Sequence, residues 1–404
     1  MGRILRRKAG FCMTGREVYL DNSATTRPYR EVTRAVVEAM DENYGNPSSL
    51  HRKGVEAGRA VTRAREAVAL SLGAAPGDII FTGGGSEAIN LAVKGLAPGR
   101  RGRHIITTVV EHPAVLNACE QLKEQGVEVS LLPVNQTGVI DPEHLRAQLR
   151  DDTYLVSTMY VNNEVGAVQP LVDIASVIAG FRQSGGRVYW HVDAVQAYGK
   201  LPLRPGDLGV DLLSVSAHKV HGPKGVGALY AAPQTPLRPL VAGGGQEGGL
   251  RSGTENVPGI AGFGVAAAVI AREAGGAAEK IWPLKKRLVE GIIAGAPGAV
   301  LNGPPGYDDV QGGAPHIANI SFPGLPGEVL VHSLEQHGIF VSTGSACSSR
   351  KKPGSHVLKA MGLGEHLLTG AVRFSLAPVN TVDEIDYAVE KTLAVVRELR
   401  SLYG

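Results

Sequence analysis

Seven short apolar runs limit what this chain can fold into more than any other feature. They read IIF, HIITTVV, VEVSLLPV, TYLVSTMYV, RVYWHVD, DLLSVSA and VGALY, and they fall between residues 79 and 230. Each reads as a strand. Helix start signals lie between several of them: Asp141-Pro142 offers an N-cap followed by proline in the first turn, and Ser86 follows a glycine run. Alternation of strand and helix predicts an α/β domain with a mostly parallel sheet and a site at the carboxyl ends of the strands.

After about residue 260 the character changes. Helical segments rich in Ala, Ile and Leu lead to a Pro/Gly-rich stretch, NGPPGYDDVQGGAP, and then to a strand pattern, IANISF. In the closing stretch Thr381 and Glu384 form a capping box, followed by Ile385, Val389, Val396 and Leu399 at helical spacing. This predicts a second, smaller α+β domain, as a chain of 404 residues leads one to expect. The division drawn is 1–28 as an N-terminal extension and a segment of the small domain, 29–262 as the large domain, and 263–404 as the small domain.

Composition narrows the function class. With 41 Lys and Arg against 38 Asp and Glu, neither nucleic acid nor an anionic membrane surface is expected as a partner. Cys12, Cys119 and Cys347 cannot build a disulfide framework at this size, so a reducing, cytoplasmic setting is expected. No run is long and apolar enough to span a bilayer. The residues ahead of Met13 are expected to be an extension preceding the patterned sequence, which begins at TGREVYLDNSATT.

Candidate chemistry sits where strands end. In FTGGGSEAINLA, a glycine turn opens a helix at Gly85 and Ser86, a place suited to an anion, although a plain turn has the same appearance. In WHVDAVQAYGK, Asp193 either caps the next helix or faces a cationic ring nitrogen, with Gln196 in reach of a ring oxygen. In SVSAHKVHGPKG, Lys219 is either an ordinary solvated lysine or a desolvated amine kept for a Schiff base, with Ser216 and His218 beside it as phosphate donors. His112 in TVVEHPAV is a capping residue, a ring-stacking residue or a proton carrier. Asn163 is preferred to Asn162 as a contact in YVNNEVG. Cys347 stands in a Ser/Gly-rich loop before Arg350, Lys351 and Lys352, where positive charge favours thiolate, and the loop is expected to be exposed and mobile. Arg373, inside AVRFSL, makes either a structural ion pair or a clamp for a carboxylate. No metal site is read.

Taken in order, YLDNSATT, NPSSLHRKG, FTGGGSEAIN, EHPAVL, VNNEVGAVQP, HVDAVQAYGKLP, SAHKVHGPKGVGALY, GGGQEGGLRSGTEN, TGSACSS and VRFSL resemble the NifS/IscS-type cysteine desulfurases. These are pyridoxal phosphate (PLP) enzymes of aminotransferase class V and fold type I. The resemblance covers nearly the whole chain. It implies a large PLP-binding domain with a mostly parallel seven-stranded sheet flanked by helices, plus the smaller α+β domain. It further implies that Lys219 holds PLP with His112 stacked over it, and that Asp193 meets the ring nitrogen. Gln196 and Asn163 would touch the ring side, and Gly85, Ser86, Ser216 and His218 the phosphate. Thr254 would reach the phosphate of a partner subunit in a homodimer. Arg373 would bind the carboxylate of L-cysteine, and Cys347 would take its sulfur as a persulfide for an acceptor in iron–sulfur assembly or in tRNA or cofactor thiolation. Two departures stand out: serine in GGGSEA where many relatives have threonine, and FSLAPVNT after Arg373, which alters the wall around that arginine. A selenocysteine lyase, a class V aminotransferase and a docking protein with degenerate catalysis are the rival readings.

Overall fold

Each of the seven apolar runs holds one strand of a single sheet. The computed structural model describes residues 15–96, 102–273, 276–306, 312–343 and 354–403. After a two-residue strand, β1 (Val18–Tyr19), and the helices Arg30–Asp41 and Arg52–Leu72, the sheet is built from seven strands. They are β2 (Ile79–Thr82), β3 (His104–Thr108), β4 (Glu128–Leu132), β5 (Thr153–Met159), β6 (Tyr189–Asp193), β7 (Leu212–Ser216) and β8 (Gly227–Ala231). Their order is β2-β8-β7-β6-β5-β3-β4. Only β8 runs against its neighbours, β7 and β2; the remaining pairs are parallel.

Helices cover both faces, which is why the strands are apolar almost continuously. Ile79 and Phe81 point into one core with the helices Arg52–Leu72, Leu171–Gln183 and Val257–Glu273. Ile80, between them, points into the other, against Gly85–Gly95 and Pro113–Lys123. Several polar residues left inside the sheet are paired. His191 on β6 lies between Ser157 Oγ of β5 (2.8 Å) and Ser214 Oγ of β7 (2.9 Å).

The second layer of structure holds β9 (Val300–Asn302), β10 (Ile317–Ser321), β11 (Ile339–Phe340) and β12 (Ala371–Ser375). A three-stranded antiparallel sheet has the order β12-β10-β9, and β11 pairs in parallel with β1. Val18 and Leu20 thereby join a core formed by the helices Gly276–Gly295 and Val382–Tyr403. The capping box forms: Thr381 Oγ1 accepts the Glu384 amide at 3.2 Å and Glu384 Oε2 accepts the Thr381 amide at 2.9 Å. Asp141 caps its helix by accepting the Glu143 amide at 2.9 Å. The helix Val257–Glu273 runs across residues 262 and 263, and Phe263 and Ala267 are buried in the large domain's core. We propose that the large domain continues through Glu273. Among the described residues no single helix is long and apolar enough to cross a membrane.

Candidate active site

The carboxyl ends of β2, β3, β5, β6 and β7 converge on a cavity of about 730 Å³, closed on one side by Ser23, Ala24 and Thr25 and on another by Arg373. Every site residue expected from sequence lines it except Thr254 and Cys347. Thr254 lines a smaller adjoining hollow of about 180 Å³ that shares Gly83 and Gly225 with the first. Cys347 lies outside the described residues, as does Cys12.

One end of the cavity is built for an anion. Gly84 has φ 146° and ψ 179°, a conformation reserved in practice for glycine, and it turns β2 into the helix Gly85–Gly95. No side chain caps that helix, and its first amides have no acceptor within it. A Cβ on Gly85 would come within 2.9 Å of Val195 Cγ2 and 3.4 Å of the Ser216 Cβ, so the wall stays open only because the residue is glycine. Ser216 Oγ, at the end of β7, is buried and has no hydrogen-bond partner in the fold. His218 closes this side, with Nδ1 at 3.2 Å from Thr25 Oγ1.

Asp193 and Lys219 line the same cavity. Asp193 Oδ1 accepts the Val195 amide at 3.0 Å; a turn over 195–200 follows where a helix was expected, so this bond closes a turn, and the same side chain lines the cavity. Burial pushes its carboxyl up to about 6, opposed by the Val195 hydrogen bond and by the charge of Lys219. Lys219 is half-buried, and its Nζ donates to the carbonyls of Ser23 (2.5 Å) and Ala24 (2.8 Å). Gln196 Nε2 donates to the same Ser23 carbonyl at 3.0 Å.

His112 is both cap and wall. Its Nδ1 accepts the Ala114 amide at 3.1 Å, which leaves the proton of the neutral ring on Nε2. Burial, with Lys219 and His356 nearby, lowers its pKa to about 4. Asn162 turns inward to accept the amides of Glu164 (2.9 Å) and Val165 (3.0 Å), which leaves Asn163 on the cavity wall, as expected.

Arg373, 3% exposed, makes the ion pair of the first reading and also lines the cavity. Its Nη2 pairs with Asp21 Oδ1 at 2.9 Å and its Nη1 donates to the Asn163 carbonyl at 2.8 Å. Its Nε is buried without a partner in the fold.

Several residues at the site carried no sequence signal strong enough to single them out. Glu111, beside His112, is fully buried; its Oε1 accepts from Thr108 Oγ1 (2.9 Å) and the Met159 amide (2.8 Å), and burial pushes its carboxyl up to about 8. Glu164, also raised by burial, accepts from Ser355 Oγ at 2.5 Å. His356 Nε2 donates to the Glu111 carbonyl at 3.0 Å and lines the cavity. Ser355 and His356 follow Cys347 by eight and nine residues, so the chain returns from that cysteine at the cavity's edge. The one signal available was adjacency: DNSATT after an apolar run, Glu beside His112, Glu beside Asn163.

An uncapped helix with an orphaned serine, and a carboxylate and an amine lining the same cavity, fit a ligand with a phosphate, a basic ring nitrogen and an aldehyde. The family model for aminotransferase class V matches residues 18–388. The chain belongs to that family. It is 45% identical over 386 residues to a protein of Trichormus azollae named cysteine desulfurase, covering 95% of this chain and 94% of the relative. It is 42% identical over 387 residues to one of Methanosarcina thermophila named cysteine desulfurase IscS, covering 95% and 93%. A solved structure described as a NifS-like protein superposes with a TM-score of 0.87 at 40% identity, over 95% of this chain and all of the other.

Proposed function

We propose that the chain is a cysteine desulfurase that uses pyridoxal 5'-phosphate, releases L-alanine from L-cysteine and carries the sulfur on Cys347. The observation that carries this reading is the meeting of Lys219, Asp193, Arg373 and an uncapped helix around one cavity. When bound, the cofactor supplies an electron sink that weakens the Cα–H and Cβ–S bonds of the amino acid.

The chain's own residues supply the rest. The amides opening the helix at Gly85 and Ser86, with Ser216 Oγ and His218, hold the phosphate; Thr254 does so for the partner subunit of a homodimer. Asp193 as its anion would hold the ring nitrogen, Gln196 and Asn163 would meet the ring's side, and His112 would stack on the ring. Lys219 Nζ is the amine that would hold the cofactor aldehyde and carry the Cα proton; it donates to the carbonyls of Ser23 and Ala24. Arg373 offers its unpartnered Nε–H to the substrate carboxylate. The Cys347 thiolate attacks the substrate sulfur: the S–S bond forms, the Cβ–S bond breaks with its electron pair left on carbon, and protonation of that carbon gives alanine. His112, with its proton on Nε2, is placed to donate during this step. The persulfide passes to an acceptor of the iron–sulfur assembly or thiolation type in the cytoplasm.

The test is alanine and sulfide formed from L-cysteine with a reducing thiol, in the wild type and in Cys347→Ala. Sulfide from the wild type alone is the expected result. Equal turnover by the variant would replace this reading with that of an aminotransferase or lyase.

A further inference from the structure

The amide of Gln196 is held at both ends. Its Nε2 faces the Ser23 carbonyl, which can only accept, so the orientation of the amide is fixed by chemistry and Oε1 points the other way. There it lies 3.3 Å from Nε2 of His316, a fully buried residue that lines no part of the cavity. Because Oε1 can only accept, the proton of His316 must be on Nε2. Its Nδ1 has no partner in the fold and is left as a bare lone pair.

Two further features keep His316 in this state. Burial comes first: together with the positive charges of Lys200, Lys285, Arg373 and Lys219 around it, burial holds the imidazole neutral far below the usual range. The second is the strapping of its backbone. The Ala314 amide donates to the Gly166 carbonyl at 2.7 Å, Lys285 Nζ donates to the Ala314 carbonyl at 2.9 Å, and the Leu376 amide donates to the His316 carbonyl at 2.9 Å. The ring therefore has little freedom to leave Gln196.

We propose that His316 is a positioning residue that locks the Gln196 amide in one orientation, so that the second Nε2–H can meet a ring oxygen of the cofactor as a donor. The proposal rests on the cofactor reading above. Among the described residues no other group meets Oε1; without His316 the Ser23 carbonyl alone opposes a flip that would set an acceptor against the ring oxygen.

The experiment is a pH titration of the visible absorption band of the PLP-loaded protein, together with the Kd for PLP measured by equilibrium dialysis, in four proteins: wild type, His316→Phe, His316→Asn and Gln196→Leu. A donor to the ring oxygen draws off negative charge that would otherwise retain the neighbouring proton, so its loss moves the titration midpoint upward. Gln196→Leu is expected to raise the midpoint by about one pH unit, the size of one hydrogen bond to a charged group. His316→Phe should follow in the same direction, with His316→Asn, which keeps a donor, returning part of the shift. A merely structural role for His316 would weaken PLP binding in both His316 variants without moving the midpoint, and that overturns the proposal. If His316→Phe does not fold, an unmoved midpoint in a His316→Ala protein overturns it equally. If Gln196→Leu leaves the midpoint where it was, the cofactor contact assigned to Gln196 is what fails.

Discussion

Asp193 uses Oδ1 to hold the Val195 amide, which leaves Oδ2 for the cavity. His112 does the same with its two nitrogens, capping a helix through Nδ1 and carrying its proton on Nε2. In each case a bond to the backbone amide two residues on fixes the angle at which the side chain enters the cavity. For Asp193, with its carboxyl pushed up to about 6, the anion that a ring nitrogen needs is lost as pH falls through that value. The affinity of the cofactor-free protein for PLP is expected to weaken below about pH 6 for this reason. Asp193→Asn, which cannot ionise, should remove that limb of the profile and lower alanine formation about 10²- to 10³-fold, the cost of deleting one preorganised electrostatic partner. PLP titrations at several pH values, followed by alanine assays, would check both; an acid limb that survives in Asp193→Asn would show that another group is responsible.

Among the elements, the large sheet was the most legible. Its strands could be read because they are buried on two faces and so are nearly continuous in Val, Ile and Leu. Residues at their ends could be read because a parallel sheet delivers them to one edge. His191 shows what the pattern could not give: it breaks an apolar strand, and only its neighbours' serines on β5 and β7 explain how it is tolerated. Burial lowers its pKa from 6.5 to about 3, so the fold keeps it neutral while the unfolded chain takes up a proton below about 6.5. Stability is therefore lost as pH drops from about 6.5 toward 3. His191→Gln, which keeps polar atoms but does not titrate, should show a shallower fall in urea midpoint between pH 7 and pH 4 than the wild type. Identical slopes would assign the acid sensitivity to other groups.

At the scale of the whole molecule, the site is a seam between distant parts of the chain. Asp21 and Arg373 pair across 352 positions, and Ser355 and Glu164 across 191. Such partners have no local periodicity to betray them, which is why Asp21, Glu164, His316 and His356 were not legible as site residues although Arg373 was. Arg373→Lys keeps the charge and loses the planar fork, so neither Asp21 nor the Asn163 carbonyl is matched as before. The KM for L-cysteine should rise roughly 10- to 100-fold, the loss of one or two charge-assisted hydrogen bonds, with a smaller change in kcat. A kcat loss at unchanged KM would place Arg373 away from the substrate carboxylate.

The pairing of Val18–Tyr19 with Ile339–Phe340, and of Asn22 with Ser375, has a consequence for how the protein is made. The residues that seat Lys219 are made before it, yet they reach their strand partners only once β11 and β12 have been synthesised. The large sheet can assemble as the chain emerges, whereas the seat of Lys219 is complete only when those two strands have been made. A nascent or prematurely terminated chain therefore carries the lysine without the finished seat.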